Sequence, residues 1–348
     1  MFKNSIELQT KGASLTTIQF MESFEAHWGV PGGVLQTIIG SQLRDKDFPC
    51  PPRIRHELHL DGKNRVILYE IEPRNETMPI ILLAHGMGGC SESGYMKRIS
   101  TKLWMQGYGV FLINHLGCGP GMGLSARLWN GGSSDDLEQM VAFVIQRYPN
   151  ALLMPIGFSL SGNVLLKYLG EGRETPENIL GALAVNPPVD LRVASLILSK
   201  KWSCALFNKY YMRLIRNQAV ALVNQFPSAL SPLKNLKTIW DFDVSYTAPA
   251  GGFKDVDDYY DKSSAKHFLK GIKTPTFILS AKDDPFVPGH LFDRAMMSEK
   301  VTLHQPKKGG HMGYIARKVT PYGDRRWMDY AVLEWVQELR KVGHCKVL

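Results

Sequence analysis

The chain has 348 residues, a formal net charge of +9, 44% hydrophobic residues and 10% aromatics. That composition suits a soluble globular protein with a large core and no more than about two or three domains. It contains no run of about 18 apolar residues, so no membrane span is expected. Its first ten residues lack the apolar stretch of a secretory signal. The five cysteines (50, 90, 118, 204 and 345) are widely spaced and form no Cys-x-x-Cys pair. They indicate neither a zinc site nor a disulfide framework, and a reduced, cytoplasmic protein is the expectation.

Residues 1–60 show no long periodic pattern and read as an extension that packs on the core. Pro31 to Gly40 reads as a turn followed by a short apolar segment, and Pro49, Pro51 and Pro52 mark a linker. Arg53 to Leu60 alternates with period two and is followed, after Asp61-Gly-Lys-Asn, by Val66 to Glu72, the pattern of a β-hairpin. From residue 79 the pattern changes. Pro79 to His85 is a continuous apolar run, as expected of a strand covered on both faces. Helical periodicity over Tyr95 to Gln106, a strand at Gly109 to Asn114, a glycine-rich loop at Gly117 to Gly123 and a helix over Asp135 to Tyr148 come next. A strand ending at Gly157, a helix beginning after Ser159 and a strand at Ile179 to Asn186 follow. Strands alternating with helices specify a parallel α/β sheet.

The alternation stops at Pro187-Pro188. The next stretch reads as helices only, and residues 191–240 hold Arg192, Lys200, Lys201, Lys209, Arg213, Arg216, Lys234 and Lys237 with no Asp or Glu, which is +8 of the net +9. Such a segment is either a solvated basic face or a surface that attracts anionic lipid headgroups or acidic substrates. Its apolar helical stretches, such as Val193 to Leu198, argue against nucleic acid. Strand patterns resume at Thr274 to Ala281 and at Val301 to Gln305, and a last helix is expected from Trp327 to Val342, leaving His344 in a tail. The expected organisation is a core of residues 61–190 and 246–348, interrupted by a helical lid at 191–245.

The chemistry concentrates at Gly157-Phe-Ser159-Leu-Ser161. A serine on a tight turn between a buried strand and a helix has its hydroxyl pushed out at the carboxyl edge of the sheet, where the helix's first N–H groups can hold an anion. The alternative is a strand-turn-helix connection with Ser159 as a capping residue. A nucleophilic serine needs a base, and the base needs an orienting acid. Of the histidines in the last quarter, His304 falls inside a strand pattern, His290 lies only a few residues past the candidate acid, and His344 is in the tail. His311, in Gly309-Gly-His-Met-Gly313, sits on a flexible loop at a strand end and is the candidate base. Asp283 and Asp284 both follow a strand. The spacing Asp284-Pro-Phe-Val-Pro288 resembles a turn common in α/β-hydrolases and favours Asp284, with one-residue register as the only distinction. The backbone N–H groups of Leu160 and Met87 are the candidate oxyanion donors, and His85 reads as a structural hydrogen-bonding residue of the loop that carries Met87. Glycines at 117, 119, 121 and 123 do not fit Gly-x-Gly-x-x-Gly, which disfavours a nucleotide site.

These motifs, with Asn114-His-Leu-Gly-Cys118, Ala184-Val-Asn-Pro-Pro-Val-Asp-Leu191, Thr247 to Tyr260 and, more weakly, Leu35-Gln-Thr37, resemble YheT-like α/β-hydrolases, bacterial relatives of the animal AB-hydrolase-domain lipases and phospholipases. The resemblance covers about residues 30–340. It implies an α/β-hydrolase fold, a mostly parallel central sheet flanked by helices with a helical lid, and a carboxylic-ester hydrolase with Ser159, Asp284 and His311 as its triad. Ser161 stands where the family has Gly, at a crowded position that is expected to shift the backbone modestly. Leu116 stands where the family often has Arg, and Val34 where His usually precedes Leu-Gln-Thr. The expected substrate is a small acyl ester or a lipid, with no metal or organic cofactor and with peripheral contact to anionic membrane through the basic lid. Acyl transfer to an alcohol other than water, and a catalytically silent fold that only binds, are the alternatives.

Overall fold

The computed structural model describes residues 21–43, 49, 51–230, 236–293 and 295–347. Its strands are β1 (Ile54–His59), β2 (Arg65–Ile71), β3 (Ile80–Ala84), β4 (Gly109–Asn114), β5 (Leu153–Phe158), β6 (Ala182–Val185), β7 (Thr276–Leu279) and β8 (Val301–His304). They form one sheet in the order β1-β2-β4-β3-β5-β6-β7-β8. β1 and β2 pair antiparallel, β2 joins β4 antiparallel, and the remaining neighbours are parallel. β1 precedes residue 61, so the sheet draws its first strand from the stretch read as an extension.

The apolar runs are explained by burial on both sides. Successive residues of a strand face opposite ways. Ile80, Leu82 and Ala84 of β3 therefore join one core with residues of α3 (Ser134–Arg147) and α4 (Leu160–Gly170), while Ile81 and Leu83 join a second core with α2 (Gly94–Met105) and the C-terminal helix. All residues of β3, β4 and β5 are buried. Because β3 to β8 run parallel, the loops that follow them open at one edge of the sheet, and every candidate site residue lies on one of these loops or at the helix start beside it.

Two expectations change. The segment at Pro31 to Gly40 is a helix, α1 (Gly32–Gln42). It buries Gly33, Gln36 and Thr37, while Val34 and Leu35 are exposed. Its inward face is thus polar and small, which apolar periodicity does not reveal. The C-terminal helix continues to Val347, so His344 is within the helix and not in a tail.

Between β6 and β7 the chain forms α5 (Leu191–Lys200), α6 (Ala205–Gln225), α7 (Ile239–Phe242), a π-helical turn (Asp243–Thr247), α8 (Ala248–Ala250) and α9 (Val256–Ser263). The C-terminal helix is α10 (Trp327–Val347). Leu198, Met212, Ile215, Leu222, Ile239 and Phe242 form their own apolar cluster, which closes on Leu128, Phe286 and Val287 from the loops of the sheet edge. Lys234, part of the basic segment, lies outside the described residues.

Candidate active site

Ser159 connects β5 directly to α4 with φ +51° and ψ −119°. A non-glycine residue held there costs about 1–3 kcal/mol, so the surrounding packing must enforce it. It does. A Cβ on Gly157 would lie 2.5 Å from the Ser161 carbonyl oxygen, and one on Gly86 would lie 3.0 Å from the Ser159 Cβ. Strand, helix and the β3 loop thus meet at backbone distance. The Ser159 side chain caps no helix. Its Oγ lies 2.8 Å from His311 Nε2.

His311 Nδ1 is 2.7 Å from Asp284 Oδ2. Asp284 also accepts from Asn186 Nδ2 (2.8 Å) on Oδ2, and from the N–H groups of Phe286 (3.1 Å) and Val287 (2.9 Å) on Oδ1. A carboxylate offers about four acceptor sites, and each here has a donor. With an acceptor facing it, Nδ1 carries the imidazole proton, and Nε2 presents its lone pair to the serine hydroxyl. Asp284, not Asp283, therefore meets the imidazole. Asp283 accepts from the Gly310 N–H at 2.9 Å. Its pKa is raised, chiefly by burial, with the Gly310 bond opposing. His304 lies in β8, and burial lowers its pKa to about 4. His290 is exposed in a short turn after the acid loop.

Two groups that hold this line drew little notice in the sequence. Asn186, at φ +48°, also donates to the Gly310 carbonyl (3.2 Å) and so ties the end of β6 to both the acid and the histidine loop. In the sequence it stands in Ala184-Val-Asn-Pro-Pro, one of the motifs that carry the family resemblance. The second is α1. The His311 N–H donates to Thr37 Oγ1 at 2.8 Å, and that hydroxyl donates to the Gly33 carbonyl at 2.7 Å. Gln36 Oε1 accepts from the Ile315 N–H at 2.7 Å, and its amide donates to the Val30 carbonyl at 2.9 Å. Any Cβ on Gly33, Gly310 or Gly313 would overlap the facing backbone: 1.7 Å from Asp283 O, 2.2 Å from Gly33 O and 2.1 Å from Gln36 O. The histidine loop is thus clamped between α1 and Asp283.

The Met87 loop is held by a buried relay. Ser161 Oγ donates to the His85 carbonyl and lies 2.7 Å from His115 Nε2. The His115 N–H donates to His85 Nε2 (3.3 Å), and His85 Nδ1 faces the Gly86 carbonyl at 2.8 Å. Burial lowers the His85 pKa to about 4 against the Gly86 bond, and it holds that of His115 well below the usual imidazole range, with His85 adding to the effect. Both rings are therefore neutral near pH 7, and one proton assignment satisfies the chain: His85 protonated on Nδ1, His115 on Nε2. The His115 ring stacks on Trp129 at 3.9 Å and 6°. Ser161 is accommodated by this relay, its hydroxyl linking the start of α4 to the loop that carries Met87. The amide of Leu160 opens α4 and has no carbonyl one turn earlier in the helix to receive it.

Met87 and Leu160 line the same cavity as Ser159, an apolar space of about 880 Å3, mouth included, roofed by α5, α6 and α7. Among the described residues no group of His, Cys, Asp and Glu could hold a metal ion, and no helix is long and apolar enough to cross a membrane. The arrangement can draw the proton from a hydroxyl at the floor of a mostly apolar cavity.

Comparison with known proteins bears on the fold and the family. Residues 79–317 match the alpha/beta hydrolase fold family. Monoacylglycerol lipase ABHD2 of Danio rerio is 27% identical over 88% of this chain and 75% of its own length. A monoacylglycerol lipase of Saccharomyces cerevisiae is 28% identical over 73% of this chain, but only 58% of its own length is matched. YheT of Escherichia coli is 26% identical over 77% of this chain and 79% of its own. Among solved structures, a Pyrococcus furiosus esterase superposes with TM-score 0.52 at 15% identity, covering 83% of this chain and 90% of that one. A 2,6-dihydroxy-pseudo-oxynicotine hydrolase does so with TM-score 0.54 at 16% identity, covering 89% and 72%. At such identities the structures support the fold alone.

The clamp on the histidine loop is testable without reference to chemistry. Thr37→Val keeps the shape and leaves the His311 N–H buried without an acceptor, a loss of about 1–3 kcal/mol. Urea unfolding should show that loss for Thr37→Val and little change for Thr37→Ser. Equal stability of all three proteins would contradict the role given to the Thr37 hydroxyl.

Proposed function

The chain belongs to the α/β-hydrolase fold family, and on that footing we propose that it is a serine carboxylic-ester hydrolase acting on acyl esters or lipids. One observation carries the proposal: the continuous line from Ser159 through His311 to Asp284, with contacts of 2.8 and 2.7 Å, at the carboxyl edge of the sheet. The named activities of the relatives, monoacylglycerol lipase among them, support the substrate class.

In this mechanism Ser159 Oγ attacks the ester carbonyl while His311 Nε2 takes its proton, and Asp284 holds the tautomer that makes Nε2 the base. The oxyanion forms between the amides of Met87 and Leu160. Each such donor is worth about 3–4 kcal/mol in the transition state. His311 then protonates the departing alkoxide, leaving an acyl group on Ser159. Water, activated by the same imidazole, releases the acid. A catalytically silent fold is disfavoured, because a silent site has no need of the strained Ser159 backbone or of four donors on Asp284. Acyl transfer to another alcohol uses the same first half-reaction, and product analysis with added alcohols separates it from hydrolysis.

Residues 191–245 act as the lid over a core of 61–190 and 246–348, to which the stretch 1–60 adds the edge strand β1, and α9 (Val256–Ser263) continues the cavity wall past the lid's boundary at 245. The outer face of α6 supports contact with anionic membrane. Leu206, Lys209, Tyr210 and Arg213 are exposed together there, beside Trp202, which is 88% exposed. Aromatics with cations suit the headgroup region. Cys90, Cys118 and Cys204 are free thiols, which suits a reducing, cytoplasmic setting.

Hydrolysis of p-nitrophenyl and glyceryl esters should fall by at least about 10⁴-fold in Ser159→Ala. Turnover retained in that variant would overturn the mechanism. Co-sedimentation with anionic vesicles should weaken with added salt and in Lys209→Glu/Arg213→Glu. Absent or salt-independent binding would remove the membrane contact.

A further inference from the structure

The cavity above Ser159 is mostly apolar, with Asn130, Tyr211 and Gln218 as scattered polar groups, and its one cluster of hydrogen-bonded polar side chains lies on the wall toward the helices between β6 and β7. There Ser195 of α5, Asp243 and Thr247 of the π-helical turn, and Tyr260 of α9 all face it. Tyr260 Oη lies 2.7 Å from Asp243 Oδ2 and 2.8 Å from Ser195 Oγ. Tyrosine has a single hydroxyl proton. If Tyr260 donates to Asp243, the 2.8 Å contact between Tyr260 and Ser195 takes its proton from Ser195. The protons of Tyr260 and Ser195 are then both committed within the cluster. What remains toward the cavity is acceptor capacity: a Ser195 lone pair, and at least one of the roughly four acceptor sites of the carboxyl.

Placing a carboxyl in an apolar wall is costly unless it is paired. Burial raises the Asp243 pKa to about 6 against the bonds from Thr247, Tyr260 and Ser195, and no cation is among the groups acting on it. The neighbouring wall is Leu198, Ile239 and Phe242. Acceptors without free protons, set in apolar surroundings, suit a neutral donor carried on an otherwise apolar molecule. An ammonium group suits them less, since its desolvation costs several kcal/mol and a single shared carboxyl is all it would meet.

We propose that Ser195, Asp243 and Tyr260 form a hydroxyl-recognition subsite that selects esters bearing a free hydroxyl. The hydroxyl lies on either the alcohol part, as in a monoester of a polyol, or the acyl chain, as in a hydroxy-acid ester. The inference rests on the ester-hydrolase proposal for its ligand class, and the subsite itself is a binding feature separate from the Ser159 chemistry.

The experiment measures binding of non-hydrolysable ethers by calorimetry, so that it does not depend on turnover. An alkyl glyceryl ether and an ether with a hydroxylated chain are each compared with the unhydroxylated ether of equal length, in the parent protein, Asp243→Asn and Ser195→Ala. Tighter binding of one hydroxylated ether is expected, and which one identifies the source of the hydroxyl. That preference should shrink about tenfold in Asp243→Asn and about threefold in Ser195→Ala. Ser195→Ala removes one oxygen and keeps the test available if Asp243→Asn fails to fold. An equal preference in parent and variants would make the cluster a structural cross-link between the lid and α9 and overturn the proposal. Tighter binding of a choline ether than of either hydroxylated ether would overturn it too. Retained preference in a protein with no esterase activity would count against the hydrolase proposal alone.

Discussion

The Asp284 carboxylate is the point on which the site depends. It is buried, and its two oxygens take four donors from three separate loops: the His311 imidazole, the Asn186 amide and the N–H groups of Phe286 and Val287. Each donor on its own is worth about 1 kcal/mol net, more when it meets a charge. Together they set the imidazole tautomer and the relative heights of the loops after β6, β7 and β8. The clamp from α1 acts on the same histidine from its backbone side. His311 is thus restrained at Nδ1 and at its own N–H, which leaves Nε2 the one free position, facing Ser159.

Much of this was legible before any coordinates. Strand runs flanked by helices placed Ser159, Asp284 and His311 each after a parallel strand, and local motifs carried their identity. The contacts that hold them were not legible, for identifiable reasons. Thr37 and His311 are 274 positions apart, and Asn186 and Gly310 are 124 apart. No local pattern encodes such pairs. α1 buries Gly33, Gln36 and Thr37 at helical spacing with Gly40, while its apolar Val34 and Leu35 face out. A search for an apolar stripe finds the wrong face, because the helix is packed by close backbone approach and hydrogen bonds. The irregular Ser161 looked like a crowding problem. In the fold its hydroxyl completes a proton assignment through His115 and His85 that no single motif contains.

The roof over the site divides its labour by face. Inward, α5, α6 and α7 offer mainly apolar side chains to the cavity, with Ser195, Tyr211 and Gln218 as the polar exceptions on these helices. Outward, α6 offers cations and the exposed Tyr210, with Trp202 just before its start. One helix therefore connects the cavity to the protein surface, and the basic segment, whose net charge is nearly that of the whole chain, needs no separate domain to account for it.

The most direct test of the chemistry is covalent labelling with a fluorophosphonate, followed by peptide mapping. The probe reacts only with a serine whose hydroxyl is activated and whose oxyanion is held. A single adduct on Ser159, formed rapidly in the parent and slowed by orders of magnitude in His311→Ala, is the expected result. An unlabelled parent protein, or an adduct on a different residue, would contradict the assignment of Ser159 as the nucleophile.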